Sequence, residues 1–196
     1  KRRKELMIKI ALVGNIASGK STVEKFLVQN NFKIFDCDKI AHKILEENIE
    51  IKEFFRTYDV FDSDKINREK LGKLVFGNKN LLKNLENIIY SLVKIELENI
   101  FKKYKKEKCI FISIPQLFEA GFENLFDKIV FISAKEEIRL ERLMQRNNYS
   151  KEYAMTRILA QNCEDEKIKK SDFVIYNNSD IDHLKLQINN LLSLLQ

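Results

Sequence analysis

The segment GNIASGKS, residues 14–21, constrains the fold of this chain more than any other feature. It matches the pattern GxxxxGK[ST] at every fixed position and follows a nearly continuous apolar run, MIKIALVG, at residues 7–14. Such a run predicts a strand buried on both faces, and a helix is predicted to continue from the motif to about Asn30. A loop between that strand and that helix can turn its N–H groups towards phosphate, aided by the positive end of the helix. The sequence therefore predicts a P-loop.

Each residue type in this loop has a predicted role. The lysine, Lys20, is expected to reach the β- and γ-phosphates of ATP, and the hydroxyl of Ser21 is expected to bind Mg²⁺. Asn15 and Ala17 stand where many small kinases have glycine, and both allow less backbone freedom than glycine does. The full predicted set of nucleotide-binding residues in the loop is Gly14, Asn15, Ile16, Ala17, Ser18, Gly19, Lys20, Ser21 and Thr22.

Short apolar segments alternate with helical segments along the rest of the chain. Further strands are predicted at residues 32–35, 109–114, 128–133 and 172–176. Strands that alternate with helices form βαβ units, so we predict an α/β fold of the P-loop NTPase type. Its five-stranded parallel sheet is expected to be sandwiched by helices.

Two intervals are longer than a connection between neighbouring strands needs. We expect a single domain over residues 1–196, with a core at residues 7–40, 106–147 and 171–196. The mostly helical interval at about 41–105 is predicted to be an inserted acceptor-binding subdomain. The charged segment at about 148–170 is predicted to be a lid.

Two aspartates, Asp36 and Asp38, follow the second predicted strand. Two residues apart in an extended chain, they would face the same way. One could then assist Mg²⁺ through water while the other accepts a hydroxyl proton, so the predicted metal-binding set is Ser21, Asp36 and Asp38. The alternative is that Asp38 only caps the next helix.

Arginines recur on one side of the predicted helix at residues 135–147. Arg139, Arg142 and Arg146 are spaced by three and four residues, and guanidinium groups suit the oxygens of a transferring phosphate. We expect Arg142 and Arg146, more than Arg139, to contact phosphate. The alternative is a set of solvated arginines paired with nearby glutamates.

Composition limits the environment and the partners. The net charge of +6 suits an anionic small substrate or weak nucleic-acid contact, of which we expect the former. Three widely spaced cysteines without a CxxC pair argue against zinc and for a reducing, cytoplasmic compartment. No apolar run approaches the roughly 20 residues of a membrane span. We expect no nucleic-acid or membrane partner, and a monomer is favoured.

Collinear motifs spread over nearly the whole chain extend this picture. In chain order they are GNIASGKST, Asp36-Cys37-Asp38 with Ile40-Ala41, Arg68 with Leu71, Val75 and Phe76, PQLFE at 115–119, Gln145-Arg146, Arg157 with Gln161, and SDFVIYN at 171–177. With these motifs the chain resembles the dephospho-CoA kinase family, whose pattern has GGIGSGKST, DAD and PLLFE at the corresponding places. His42 stands where that family usually has arginine.

The resemblance implies a fold similar to that of nucleotide kinases and a defined reaction. The γ-phosphate of ATP would pass to the 3′-hydroxyl of dephospho-CoA in the last step of CoA synthesis. By position, Asp38 resembles the catalytic base of the family, Arg146 a lid arginine near the transferring phosphate, and Asn177 a residue near the adenine of ATP. The catalytic set that we predict is Lys20, Asp38, Arg142 and Arg146.

Two other interpretations stay open from the residues alone. One is another small-molecule or nucleoside monophosphate kinase. The other is a nucleotide-binding switch or a P-loop protein associated with nucleic acid. Against a GTPase, the sequence has no DxxG after a strand and no [NT]KxD. Against a helicase-type motor, no apolar strand ends in Asp-Glu.

Overall fold

The structure of the chain is a computed structural model that describes residues 7–161 and 163–195. In chain order its elements are β1 (Ile8–Gly14), α1 (Lys20–Gln29), β2 (Lys33–Asp36), α2 (Cys37–Glu47), α3 (Ile49–Phe55), β3 (Phe61–Asp62), β4 (Lys65–Ile66), α4 (Arg68–Phe76), α5 (Lys79–Lys103), β5 (Cys109–Ser113), a 3₁₀ turn (Glu123–Leu125), β6 (Lys128–Ser133), α6 (Glu136–Asn147), α7 (Lys151–Leu159), α8 (Glu164–Lys169), β7 (Phe173–Tyr176) and α9 (Ile181–Leu194).

A five-stranded parallel sheet forms the centre of the fold, in the order β2-β5-β1-β6-β7. The middle strand, β1, pairs with β5 in the register Ile8↔Cys109 and with β6 in the register Ile10↔Lys128. Because β1 has a strand on each side and helices flank the sheet, its apolar run is buried as predicted. The predicted α/β fold with five parallel strands is confirmed.

The core of the sheet joins strands to helices that are distant in sequence. Ile10 and Leu12 of β1 are fully buried, in one cluster with Leu27 of α1 and Ile188 of α9. Burying such a side chain stabilises the fold by about 1.5–3 kcal/mol. This packing fixes the strand that carries the P-loop at its carboxyl end.

The chain forms two compact units. The described residues up to Phe35 and from Tyr104 onwards make the first, called here the sheet unit, and Asp36–Lys103 makes the second, called the helical unit. The helical unit has its own core, in which Ile51 and Phe55 of α3 are fully buried. The boundaries that we predicted for an acceptor-binding insertion and a lid stay predictions.

The helical unit contains a short hairpin that the sequence did not predict. Strands β3 and β4 pair antiparallel, Phe61 with Ile66 and Asp62 with Lys65. Two residues per strand are too few to show a period of two, so the interval was expected to be mostly helical.

Among the described residues, no helix has the length and apolar composition needed to cross a membrane.

Candidate nucleotide-binding site

The loop between β1 and α1 needs glycine at both ends. A Cβ atom at Gly14 would lie 2.7 Å from the Oγ of Ser18 and 3.0 Å from the carbonyl oxygen of Ile132. Gly19 has φ 95°, in the left-handed region, and a Cβ there would overlap the Nδ2 of Asn177. Close approach and backbone conformation therefore explain the two fixed glycines of the motif.

Between them, Ala17 has φ 60°, a conformation that L side chains rarely adopt. Such a residue costs about 1–2 kcal/mol and persists only when its surroundings hold it. Ile16 and Ala17 both pack against a cluster that contains Leu143 of α6 and Ile158 of α7. The apolar contact with these two helices supports the strained loop.

The carbonyl groups of the loop are held by Arg142 and Asn177. The Nη1 of Arg142 donates to the oxygens of Ala17 and Ser18 at 3.2 Å each, and its Nη2 donates to the oxygen of Asn177 at 3.2 Å. The Nδ2 of Asn177 also donates to the oxygen of Ser18 at 2.8 Å. Burial lowers the pKa of the Arg142 guanidinium, which still stays protonated at neutral pH. Arg142 thus holds the backbone of the loop, a contact that the sequence did not predict.

The loop lysine already has partners in the sheet unit. The Nζ of Lys20 lies 2.8 Å from the Oε1 of Glu24, one turn further along α1, and it also contacts the Oγ of Ser113 at the end of β5. An ammonium group carries three N–H donors, so these contacts orient Lys20 beside the loop. Ser21 is exposed on the first turn of α1, where its hydroxyl oxygen can bind a hard cation.

The other two arginines of α6 lie in different environments. Arg139 is buried, and its Nη1 lies 2.7 Å from the Oε2 of Glu164 in α8. Arg146 is exposed, and its Nε donates to the Oδ1 of Asn147 at 2.8 Å. Arg139, the arginine that we expected least to contact phosphate, thus forms a buried ion pair with Glu164. The predicted phosphate contacts of Arg142 and Arg146 stay predictions.

Helix α8 also contacts the loop that follows β5. The Nζ of Lys167 is buried and lies 2.8 Å from the Oε1 of Glu119, the last residue of PQLFE. The Nζ of Lys170 lies over the ring of Phe118, 5.6 Å from its centre.

Glu164 and Ser113 were not predicted from the sequence as residues of this site. Their partners at the P-loop, Asn15 and Lys20, are about 90 to 150 residues away in the chain, and no local sequence pattern predicts such pairs.

In the helical unit, the geometry predicted for the two aspartates is wrong. Asp36 ends β2 in extended conformation, but α2 begins at Cys37, so Asp38 lies in a helical turn and the two aspartates are not in one extended segment. The Oδ1 of Asp36 accepts from the N–H groups of Asp38 and Lys39 at 3.0 and 3.3 Å, so the helix is capped by Asp36 and not by Asp38. Asp38 is exposed in the first turn of α2. Their roles towards Mg²⁺ and the acceptor stay predictions.

His42 lies on the same helix and contacts Arg68. The Nδ1 of His42 is 3.0 Å from the Nη1 of Arg68. An imidazole nitrogen that faces a guanidinium must be the acceptor, because the arginine can only donate. His42 therefore supports an arginine of the helical unit.

Together, the central parallel sheet and the glycine-bounded loop with its lysine define a P-loop nucleotide-binding protein. Comparisons with known proteins narrow this class. A family model, CoaE (dephospho-CoA kinase), matches residues 8–183. The chain therefore belongs to the dephospho-CoA kinase family.

Individual relatives agree with the family model. The chain is 38% identical to the dephospho-CoA kinase of Lactobacillus johnsonii, over 93% of this chain and 96% of the relative. It is 40% identical to the dephospho-CoA kinase of Fusobacterium nucleatum, over 89% and 92% respectively. The solved structure of dephospho-CoA kinase from Campylobacter jejuni superposes with a TM-score of 0.75 at 35% identity, covering 94% of this chain and 95% of that one.

Proposed function

We propose that this chain transfers the γ-phosphate of ATP to the 3′-hydroxyl of dephospho-CoA, which yields coenzyme A and ADP. The observation that carries the proposal is the family match over residues 8–183, which includes the P-loop, the two aspartates and helices α6 to α8. The net charge of +6 suits substrates of this kind, since both ATP and dephospho-CoA are anionic.

The P-loop would bind the phosphates of ATP. Its backbone N–H groups and the N-terminus of α1 provide positive potential, and Lys20 would turn from Glu24 towards the β- and γ-phosphates. Asn177, which already touches the loop at Ser18, would lie near the adenine. Such donors act in the transition state, where charge spreads over the oxygens of the transferring group.

The chemistry of the donor set fits Mg²⁺. This ion prefers oxygen ligands and keeps several waters, so it needs only one or two protein oxygens beside the substrate phosphates. The exposed hydroxyl of Ser21 would bind it directly, and the carboxylates of Asp36 and Asp38 would act through water. When bound, Mg²⁺ neutralises part of the phosphate charge and orients the terminal phosphate.

The transfer itself requires a base. Asp38 would accept the proton of the 3′-hydroxyl as the oxygen of that hydroxyl forms a bond to the γ-phosphorus. At the same time, the bond from the γ-phosphorus to the bridging oxygen would break and ADP would leave. Asp38 is exposed at the start of α2, so its carboxylate is accessible to an acceptor. Arg142 and Arg146 would stabilise the transferring phosphate, Arg146 from the exposed end of α6.

The experiment measures ADP release with ATP, Mg²⁺ and dephospho-CoA, with AMP, CMP, UMP and adenosine as parallel acceptors. We expect strong turnover with dephospho-CoA alone. Preference for a nucleoside monophosphate would refute the proposed acceptor and leave a P-loop kinase of another substrate. The matched control is Lys20→Ala, which should abolish turnover with every acceptor while the circular dichroism spectrum stays that of the wild type.

A further inference from the structure

The carboxylate of Glu164, the first residue of α8, accepts hydrogen bonds from three different elements. Its Oε2 accepts from the Nδ2 of Asn15 in the P-loop at 2.9 Å and from the Nη1 of Arg139 in α6 at 2.7 Å. Its Oε1 accepts from the Oγ of Ser133 at the end of β6. The carboxylate of Glu164 therefore joins the P-loop to helix α6 and to the end of strand β6.

The charges at this junction determine its geometry. The side chain of Arg139 is 5% exposed and that of Glu164 is 23% exposed, so the pair is largely removed from water. A buried guanidinium requires a counter-charge, which ties Glu164 to α6. Because a carboxylate can only accept, the amide of Asn15 must present its nitrogen and not its oxygen to Glu164. The ion pair thus fixes where the side chain of Asn15 points.

This orientation has a local cost. The Oδ1 of Asn15 is buried and has no hydrogen-bond partner among the described residues. A buried carbonyl oxygen without a partner destabilises the fold, and a residue without that group would avoid the loss. Stability alone does not favour asparagine here, which points to a role in the function of the loop.

A second contact holds the same part of the loop. The backbone N–H of Ile16 donates to the Oε1 of Gln161, which lies just before α8, at 2.8 Å. The next residues, Ala17 and Ser18, are held through their carbonyl groups by Arg142. The first half of the loop therefore depends on the α8 segment, and the second half depends on α6.

We propose that Glu164 is a positioning residue for ATP, which acts through the side chain of Asn15 to hold the first half of the P-loop in its phosphate-binding conformation. The inference rests on the proposed use of ATP by this chain. Glu164 touches no reacting atom in this scheme. Its loss should weaken ATP binding by making the loop less ordered and leave the chemical step unchanged.

The test combines Asn15→Ala, Glu164→Gln and the double variant. The affinity for ATP is measured by calorimetric titration in the presence of Mg²⁺ and without acceptor, and KM and kcat are measured with dephospho-CoA. We expect Asn15→Ala to raise Kd and KM for ATP about tenfold, the effect of one lost charge-assisted hydrogen bond, while kcat stays within about twofold. In the Asn15→Ala background, Glu164→Gln should add no further loss of ATP affinity.

The controls separate this role from a merely structural one. Asp165→Asn removes the same charge from an exposed neighbour on α8 and should change Kd for ATP by less than about twofold. If Glu164→Gln fails to fold because Arg139 loses its counter-charge, Asn15→Ala still tests the proposal, since it leaves that ion pair intact.

Two results would overturn the inference. One is an unchanged Kd for ATP in Asn15→Ala, with or without a lower thermal midpoint, and the other is effects of the two substitutions that multiply as independent losses. If the wild type binds ATP but does not phosphorylate dephospho-CoA, the proposed function fails. The titrations would still decide the role of Glu164.

Discussion

The substitution Gly19→Ala tests whether the contacts around the P-loop control both stability and nucleotide binding. Gly19 has φ 95°, and an added Cβ would overlap the Nδ2 of Asn177 and lie 3.3 Å from its Cγ. The left-handed backbone costs an alanine about 1–2 kcal/mol. Displacing the Asn177 amide would also break its hydrogen bond to Ser18, which adds about 1 kcal/mol.

The two contributions sum to about 2–3 kcal/mol of unfolding free energy. For a chain of this size that corresponds to a fall in the thermal midpoint of roughly 4–12 °C. The assay is urea denaturation followed by circular dichroism, together with calorimetric titration of ATP. We expect ATP affinity to fall at least about tenfold, because the loop cannot keep its curvature when Gly19 moves.

The matched control is Gly72→Ala in α4, where nothing lies within 4 Å of the added Cβ. Alanine is a better helix former, so this substitution should raise the unfolding free energy by about 0.5–1 kcal/mol. Adding Asn177→Ala to Gly19→Ala should restore less than half of the loss, since the backbone strain remains. A stability of Gly19→Ala equal to that of the wild type would refute the reasoning.

The remaining predictions concern single side chains. Asp38→Asn should lower kcat by about 10²–10⁴ with an intact fold, as loss of a general base does, and an unchanged kcat would leave Asp38 without a catalytic role. Burial raises the pKa of Asp172, but the ammonium of Lys128 and the N–H of Ile129 outweigh it, so the pKa lies below 3.8. The stability from this carboxylate is therefore present above pH 3.8 and lost as the pH falls through the folded pKa. Thermal midpoints of the wild type and Asp172→Asn should differ at pH 7 and converge in acid; a constant difference would contradict this. Burial, with the charges of Asp38 and Asp36, raises the pKa of the Cys37 thiol to about 12. Iodoacetamide at pH 8 should thus modify the exposed Cys163 first, as peptide mass spectrometry would show.

The sheet could be predicted from the sequence because each of its strands is a separate apolar run. The strand at residues 128–133 has the predicted bounds, and the other strands of the sheet differ by about one residue at their ends. The hairpin of β3 and β4 could not be predicted, since its paired strands have two residues each. Helix α2 begins at Cys37 with Asp36 as its cap, whereas the sequence offered capping by Asp38 only as an alternative to a catalytic or metal-binding role.

The candidate site was predictable only where its residues are neighbours in the chain. The motif identifies Lys20 and Ser21, and the spacing of α6 identifies its arginines as one set. The sequence does not show that Arg142 binds backbone carbonyls or that Arg139 is buried against Glu164. Those contacts depend on tertiary packing between α6, α8 and the loop, which no local periodicity encodes.

The order of strands in the sheet has a consequence for biosynthesis. Strand β1 lies between β5 and β6, and both of its partners are translated after the entire Asp36–Lys103 segment. At ordinary rates of translation, β1 leaves the ribosome roughly 5–20 s before β5 does. During that time β1 has neither of the strands with which it pairs in the sheet, so its apolar side chains are not yet buried. The helical unit is continuous in sequence, so it can fold in this interval. At that time the P-loop still lacks the neighbouring strands β5 and β6.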